Sequence, residues 1–187
     1  CIKKHNLPSN KKIFLYIGWL DKHKGVDHLY EAVKIAGKKR KDLFFIFIGD
    51  GSLRNNLISK IKKDKISNLK IIPKVSHKEI PYYINSAEAV ILPSEAEGMP
   101  NVVLEAMSCG IPVISTDVGD VCEFIKDNQN GMIIKKDPDD IANKVMYILE
   151  KNRSSRFGKL ARSTMVEKNL SWEKSANNYI NIYKKLI

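Results

Sequence analysis

The chain has 187 residues, 43% of them hydrophobic and 28% charged, and its formal net charge at pH 7 is +11. These proportions are typical of a soluble globular protein that is long enough for one α/β domain with its own core. No apolar run approaches the roughly 20 residues that a bilayer-spanning helix needs, which excludes such a helix. The three cysteines show no metal-type spacing and fit a reducing compartment, so we expect a cytoplasmic protein.

The positive charge raises the question of a nucleic-acid or anionic-membrane partner. The lysines are scattered along the chain, and no basic block has interleaved aromatic residues or a nucleic-acid-binding motif. We therefore interpret the excess as a compositional bias on solvated faces and expect no nucleic-acid partner. Weak contact with an anionic membrane stays open, with the protein peripheral at its inner face.

The first predicted unit is a strand, a glycine-containing loop and a helix. Residues 1–11 are polar and predict a linker, whereas Lys12–Ile17 predicts a buried strand and Val26–Lys39 an amphipathic helix. The loop between them, Gly18–Gly25, is charged. Such a unit often binds phosphate, because backbone N–H groups and the helix dipole are directed at the anion. Lys24 adds a cation to this loop.

A second predicted strand leads into another glycine-containing turn. Leu43–Ile48 is a continuous apolar run, as expected for a parallel strand covered on both faces. It leads into Gly49-Asp50-Gly51 and then a helix that begins near Leu53, for which Ser52 suits the N-cap. Ala87–Leu92 predicts a strand later in the chain.

The segment between these two strands contains another strand and its loop. Leu69–Ile72 ends at Pro73-Lys74-Val75. Ser76 and Glu79 have the spacing of a capping box, which predicts the start of a helix. We interpret His77, inside that box, as structural.

The stretch from Ser94 to Gly119 predicts a loop, a short helix, a tight turn and a buried strand. Pro100 suits the first turn, because its missing N–H would be unsatisfied there anyway. The helix continues to Cys109, and Gly110 suits the position just after it. Ile111–Ser115 is a β-branched run typical of a central strand.

Glu105 is unusual within this helix. Its neighbours are apolar on every side, so we expect the helix to be buried all round. An ionised carboxylate there costs several kcal/mol unless something binds it. Glu97 lies in the Gly98-containing loop that opens the same helix. Two carboxylates at the ends of this segment favour a binding site; an N-terminal charge plus a paired core glutamate is the alternative.

The last part of the chain predicts mainly structural elements. Gly131 opens an apolar strand. Asp137-Pro138-Asp139-Asp140 resembles an Asp-x-Asp metal motif, but its place before the helix Ile141–Leu149 favours an ordinary N-cap, and we expect no metal. Two further helices are expected around Arg156–Lys168 and over Trp172–Leu186.

The alternation of strands and helices predicts an α/β fold, a Rossmann-like open, mostly parallel sheet with helices on both faces. Every loop singled out above follows a strand. Because the carboxyl ends of parallel strands share one edge of the sheet, these loops should converge there, which favours a nucleotide-type site.

The pattern Glu97, seven residues, Glu105, within EGMPNVVLEAMSCGIPVIST, resembles the signature of the retaining family 4 (group 1) glycosyltransferases. The resemblance runs from about Lys12 to the C-terminus. It implies the C-terminal, donor-binding half of a GT-B fold, which is built from two Rossmann-like domains. Residues 1–11 would be a linker remnant, 12–170 the nucleotide-sugar-binding domain, and 171–187 a helix that packs on an N-terminal domain. Trp172, Tyr179 and Tyr183 of that helix would then be partly exposed.

The resemblance also implies roles for individual residues. Glu97 would bind sugar hydroxyls of the donor, Glu105 the ribose hydroxyls and Lys24 the donor diphosphate. Lys24 and Glu97 are therefore the catalytic candidates. The other donor-binding candidates are Gly18, Gly49, Gly51, Lys74, Val75, Gly98, Met99, Pro100 and Asn101.

Two residues depart from the family pattern. Trp19 stands where the family usually has an arginine that holds the diphosphate. Either Lys22 or His23 supplies that contact, or the diphosphate is held less tightly. Pro73 replaces a glycine next to the base-binding loop.

The expected activity is transfer of a hexosyl group from a nucleotide diphosphate-sugar to a glycan or lipid-linked acceptor, with retention of configuration and without a metal or cofactor. The acceptor would be bound through the N-terminal domain, so this chain alone should bind donor and turn over little or nothing. Three alternatives stay open: another GT-B-like enzyme such as a nucleotide-sugar epimerase or a phosphorylase, a non-catalytic nucleotide-binding module, and a nucleic-acid-binding domain.

Overall fold

The structure, a computed structural model, describes residues 7–169 and 172–186, with the backbone alone at 172. Most of the predicted linker, residues 1–6, lies outside the described residues. The strands are β1 (Lys12–Ile17), β2 (Leu43–Ile48), β3 (Leu69–Ile72), β4 (Ala89–Leu92), β5 (Val113–Thr116) and β6 (Gly131–Ile134). The α-helices are α1 (Val26–Lys39), α2 (Arg54–Lys63), α3 (Ile80–Ile84), α4 (Asn101–Ser108), α5 (Val121–Phe124), α6 (Pro138–Leu149), α7 (Arg153–Lys168) and α8 (Trp172–Tyr183).

The strands form one six-stranded sheet in the order β3-β2-β1-β4-β5-β6. Every neighbouring pair is parallel. The α/β, Rossmann-like prediction is therefore confirmed, and the sheet is wholly rather than mostly parallel within the described part of the chain. The strand order reverses between β1 and β4, which is where ligands bind in open α/β sheets.

Helices cover both faces of the sheet, which explains why the strands lack polar alternation. On β1, Phe14 and Tyr16 pack against α1, α2 and α6, whereas Ile13 and Leu15 pack against the α3, α4 and α7 side. All four side chains are buried. Burial of Ile13, Phe14 and Leu15 contributes about 1.5–3 kcal/mol of free energy per side chain.

Several predicted boundaries need correction. Strand β4 begins at Ala89 rather than Ala87, because the Ala87 N–H donates to the Ile84 carbonyl and belongs to the turn after α3. Ser52 is not an N-cap; its N–H and Oγ both donate to Asp21 Oδ1, at 2.8 and 2.6 Å. Asp137 does cap α6, since its carboxylate accepts from the Asp140 N–H at 2.9 Å.

Helix α8 carries Tyr179 and Tyr183, whose side chains are both largely exposed, as predicted. The side chain of Trp172 lies outside the described residues. The proposed boundaries between linker, domain and terminal helix stay predictions. Of the helices in the described ranges, none is both long enough and apolar enough to cross a membrane.

Candidate functional site

The loops after β1, β4 and β5 meet at the carboxyl edge of the sheet. The Glu95 N–H donates to the His23 carbonyl at 2.8 Å, and the Asp120 N–H donates to the Gly98 carbonyl at 3.2 Å. Gly119 has a φ of 53°, and a Cβ at this position would overlap the Gly98 carbonyl oxygen. Only glycine fits such a contact without strain. The predicted convergence of these loops is therefore present.

A cavity of about 360 Å³ opens at this edge, between the ends of β1 and β2, the β3–α3 loop and the start of α4. Its volume is within the usual range for small-molecule sites. Its apolar walls are Ile17, Ile48, Val75, Ile80 and Val102, and its other lining residues are Gly18, Trp19, Gly49, Asp50, Lys74, His77, Asn101 and Glu105. Of the predicted donor-binding residues, Gly18, Gly49, Lys74, Val75, Asn101 and Glu105 thus lie together.

Glu105 lies in this cavity for a different reason from the one predicted. Helix α4 is not buried all round: only Val103, Ala106 and Met107 are fully buried. The Glu105 side chain is 30% exposed and reaches the cavity, with Oε1 2.9 Å from His77 Nε2. The prediction that this helix is buried all round was therefore wrong, and Glu105 is not a buried carboxylate without a partner. The other carboxylate oxygen accepts no hydrogen bond from the described residues and is available to a ligand.

His77 is a cavity residue rather than a purely structural one. Its side chain is 83% exposed, and its contact to Glu105 joins the β3–α3 loop to α4. The capping box around it is present, and in it the Ser76 N–H donates to Glu79 Oε2 at 3.3 Å. Sequence spacing gave no signal for the contact with Glu105, because the two residues come from separate units of the chain.

The two catalytic candidates pair with each other beside the cavity rather than inside it. Lys24 Nζ lies 2.8 Å from Glu97 Oε1, and their side chains are only 18% and 13% exposed. Ser94 Oγ donates to the same carboxylate oxygen at 2.7 Å. Thr116 Oγ1 in turn donates to the Ser94 carbonyl at 2.6 Å. Ser94 and Thr116 thus orient Glu97, a supporting role that we did not predict.

Tyr16 lies beneath this pair. Its hydroxyl donates to the Trp19 carbonyl at 2.6 Å, which fixes the start of the β1 loop. Burial raises the pKa of Tyr16 well above its ordinary value, and the nearby carboxylates of Glu97 and Asp21 raise it further. The hydroxyl therefore stays a hydrogen-bond donor at physiological pH.

The remaining predicted residues lie next to the cavity but do not line it. Gly98, Met99 and Pro100 form the connection between Glu97 and α4, and no side chain caps the N-terminus of that helix. Pro100 is its N-cap residue rather than its first helical residue. Gly51 packs against the backbone of Leu20 and does not line the cavity.

The two departures from the family pattern lie in different environments. Trp19 lines the cavity with a side chain that is 60% exposed. Lys22 and His23 are exposed on a short 3₁₀ helix and do not line the cavity. Pro73 also lies outside the lining, whereas the next residue, Lys74, donates its N–H to Asp50 Oδ2 at 3.1 Å. Within residues 7–169 and 172–186, no group of His, Cys, Asp and Glu side chains is arranged to hold a metal ion.

The sequence model of the family described as glycosyl transferases group 1 matches residues 2–164. The chain belongs to this family. An uncharacterized glycosyltransferase of Methanocaldococcus jannaschii is 30% identical over 173 residues, which cover 92% of this chain and 48% of that protein. Across eight curated relatives, this one included, the matched region spans between 33% and 50% of the relative's length.

Solved glycosyltransferases share the fold. A mutant of TarM from S. aureus, in complex with fondaparinux, α-GlcNAc-glycerol and UDP, superposes with a TM-score of 0.83 at 25% identity. The match covers 94% of this chain and 36% of that one. The C-terminal domain of a group 1 glycosyl transferase from Francisella tularensis superposes with a TM-score of 0.78 at 24% identity, covering 89% of this chain and 90% of that one. These neighbours are GT-B glycosyltransferases.

Proposed function

We propose that this chain is the donor-binding domain of a retaining glycosyltransferase that moves a hexosyl group from a nucleotide diphosphate-sugar to a glycan or lipid-linked acceptor. Membership of the glycosyl transferases group 1 family supports the transfer reaction. The UDP bound to TarM supports the type of donor. The acceptor half would lie in the part of the relatives that this chain does not span. On its own, the chain should bind donor with little or no turnover.

The observation that carries this proposal is the cavity with Glu105 on one wall and the uncapped start of α4 beside it. The base would pack against the apolar walls at Val75, Ile80 and Val102. The free oxygen of Glu105 would accept from the ribose hydroxyls. The first N–H groups of α4 would face the diphosphate, because helix N-termini favour anions.

The Lys24–Glu97 pair would act at the sugar end of the donor. In the reaction the bond between the sugar C1 and the diphosphate oxygen breaks, and its electron pair leaves with the diphosphate. The acceptor oxygen forms the new bond to C1, and its proton passes to the leaving diphosphate. Lys24 and the α4 dipole would stabilise the leaving diphosphate. Glu97, oriented by Ser94, would bind sugar hydroxyls through its second oxygen. We propose no metal or cofactor.

Calorimetric titration of the chain with UDP, GDP and ADP tests the donor site. We expect saturable binding of one nucleotide at one site per chain. Replacing Glu105 by Gln should weaken it roughly 10- to 100-fold, because a hydrogen bond to a charged group contributes about 1.5–3 kcal/mol. The matched control is Glu167→Gln, an exposed glutamate on α7, which should leave the affinity unchanged. Equal affinities for the wild type and Glu105→Gln, or no binding of any nucleotide, would contradict the proposed site.

A further inference from the structure

A cluster of exposed lysines lies at the amino edge of β1, β2 and β3, opposite the cavity. Helices α1 and α2 start at the carboxyl edge and end at the amino edge, each with lysines in its last turn. Other lysines follow in the loops and on β3. We call the basic edge the exposed lysines Lys38, Lys39, Lys41, Lys62, Lys63, Lys65 and Lys70. These seven lysines are exposed, and the fold brings them together at one edge although they are separated along the chain.

The acidic residues at this edge are already paired with other cations. Arg40 Nε lies 2.6 Å from Asp42, and Lys34 Nζ lies 3.2 Å from Asp64. Hydrogen bonds from Lys34 and Tyr30 hold the pKa of the Asp64 carboxyl below its usual value. No lysine of the basic edge has a carboxylate of the described residues within 4.0 Å. These lysines therefore form no ion pair of their own with the described residues.

The carboxyl edge is closer to balanced in charge. The segments that follow the strands there carry the acidic residues Asp21, Asp50, Glu79, Glu95, Glu97, Asp117, Asp120 and Asp137 and the lysines Lys22, Lys24, Lys74, Lys78, Lys135 and Lys136. Lys24 and Lys136 are paired with Glu97 and Glu95. The fold thus separates a basic edge from a roughly balanced one along the strand direction.

Helix dipoles alone do not account for this separation. Cations favour helix C-termini, which would explain the lysines that end α1 and α2. However, α4 and α6 have no basic residue in their last turns. Lys41, Lys65 and Lys70 lie outside any helix. The clustering is therefore particular to the α1–β3 side of the molecule.

We propose that the basic edge binds the surface of an anionic membrane. Lysines act as point charges toward phosphate headgroups, and each is expected to strengthen binding about fivefold near an anionic leaflet. A cavity of about 270 Å³ opens among Lys38, Lys41 and Lys65 and can admit a headgroup phosphate. Asp64 also lines this cavity, where Lys34 pairs with its carboxylate. The exposed large hydrophobic residues of the described chain lie elsewhere, so contact at the headgroup level needs no apolar insertion.

The same features weigh against nucleic acid as the partner. Single-stranded nucleic acid is bound through aromatic side chains that stack on bases, and the basic edge has none. Base edges are read mainly by bidentate arginine and amide groups, and Arg40 is occupied by Asp42 through two hydrogen bonds.

Docking through the basic edge would leave the donor cavity on the opposite edge open to solvent. Membrane binding and nucleotide binding should therefore be independent. The two proposals can therefore be tested separately, because the result for membrane binding does not depend on the result of the nucleotide titrations.

Co-sedimentation of the chain with lipid vesicles tests the proposal. We expect binding to vesicles of phosphatidylcholine mixed with phosphatidylglycerol at about 0.1 M NaCl, and none to phosphatidylcholine alone. Binding should disappear near 1 M NaCl, where the Debye length falls to about 3 Å. The double substitution Lys38→Glu/Lys65→Glu should weaken binding at least roughly 30-fold, because it removes two lysines from the surface.

The matched control is Lys78→Glu/Lys135→Glu, which makes the same change in net charge at the carboxyl edge. Its affinity for the anionic vesicles should fall by less than about threefold, because that edge faces away from the lipid. Circular dichroism would check that both doubles fold. Equal losses in the two doubles, or tighter binding to a duplex oligonucleotide than to anionic vesicles at the same salt, would overturn the proposal.

Discussion

Lys24 and Glu97 restrain each other, and that restraint shapes how the candidate site would work. Both side chains are largely buried, and Glu97 Oε1 already accepts from Lys24 and Ser94. A charge-assisted hydrogen bond of this kind is shorter and stronger than a neutral one. The pair therefore holds a cation and a carboxylate in fixed positions before any donor arrives. A diphosphate near Lys24 would bind an ammonium group that Glu97 already holds in place, so no mobile lysine side chain would have to be ordered.

Trp19 should report on and strengthen nucleotide binding, because its exposed indole lines the cavity. Stacking of a base on an aromatic ring contributes roughly 1–3 kcal/mol. Trp19→Ala should therefore weaken nucleotide binding about 10-fold, whereas Trp19→Phe should keep most of the affinity. In the Trp172→Phe background Trp19 is the one remaining tryptophan of the sequence, so its emission should change saturably during a nucleotide titration.

Two results would contradict this role for Trp19. One is an emission spectrum that stays constant while calorimetry shows nucleotide binding. The other is an equal loss of affinity in Trp19→Phe and Trp19→Ala, which would mean that the aromatic face contributes nothing.

At the scale of single residues, the sequence predicts which loops form the site, but it predicts the contacts between their side chains less well. Gly18, Lys74 and Glu105 lie at the cavity because loops that follow parallel strands must share one edge. The Glu105–His77 contact depends on the path of the β3–α3 loop, which no local pattern determines. The pairing of Lys24 with Glu97 likewise depends on how two loops meet.

At the scale of elements, the contact between α7 and the turn after α4 limits what the fold tolerates. Gly158 lies on the buried side of α7, and a Cβ there would overlap the Gly110 carbonyl oxygen. Backbone cannot yield as a flexible side chain can. We expect Gly158→Ala to lower the free energy of unfolding by roughly 1–3 kcal/mol, the range for overpacked sites, in urea denaturation followed by circular dichroism.

The matched control is Gly37→Ala, also inside a helix. A Cβ at Gly37 would meet the side-chain amide of Asn68, which can rotate away. Because alanine favours a helix over glycine by about 1 kcal/mol, this variant should be as stable as the wild type or more stable. A Gly158→Ala variant that is equally stable would show that α7 can shift without cost.

The predicted strands agree best where a residue that ends a strand stands on each side of the run. Strands β1, β2 and β3 begin and end as predicted, because polar residues, glycine or proline bound each of them. Strand β5 begins at Val113 rather than Ile111. The Ile111 N–H donates to the Ala106 carbonyl and so belongs to the cap of α4. A hydrophobic run alone cannot show which of its residues serve such a cap.

At the scale of the whole molecule, the topology converts a scattered set of lysines into one charged edge. Because α1 and α2 each follow a strand and run antiparallel to it, their C-termini lie at the same edge as the starts of β1, β2 and β3. Lysines separated in sequence thereby become neighbours. The sequence shows how much positive charge the chain carries, whereas the strand order shows on which edge of the sheet these lysines lie.

This arrangement should make the stability of the molecule depend on salt. Like charges on the basic edge repel one another over distances comparable with the Debye length, whereas the ion pairs of the molecule lie within 4.0 Å and are screened less. Raising NaCl from about 0.01 M to about 0.1 M shortens the Debye length from about 30 to about 10 Å. The free energy of unfolding should rise by roughly 1 kcal/mol, since each like-charged neighbour pair costs a few tenths of a kcal/mol.

Urea denaturation at the two salt concentrations measures this gain in the free energy of unfolding. The gain should fall to less than half of its wild-type value in Lys38→Glu/Lys65→Glu and should persist in Lys78→Glu/Lys135→Glu. The reverse pattern would show that the repulsion lies at the carboxyl edge.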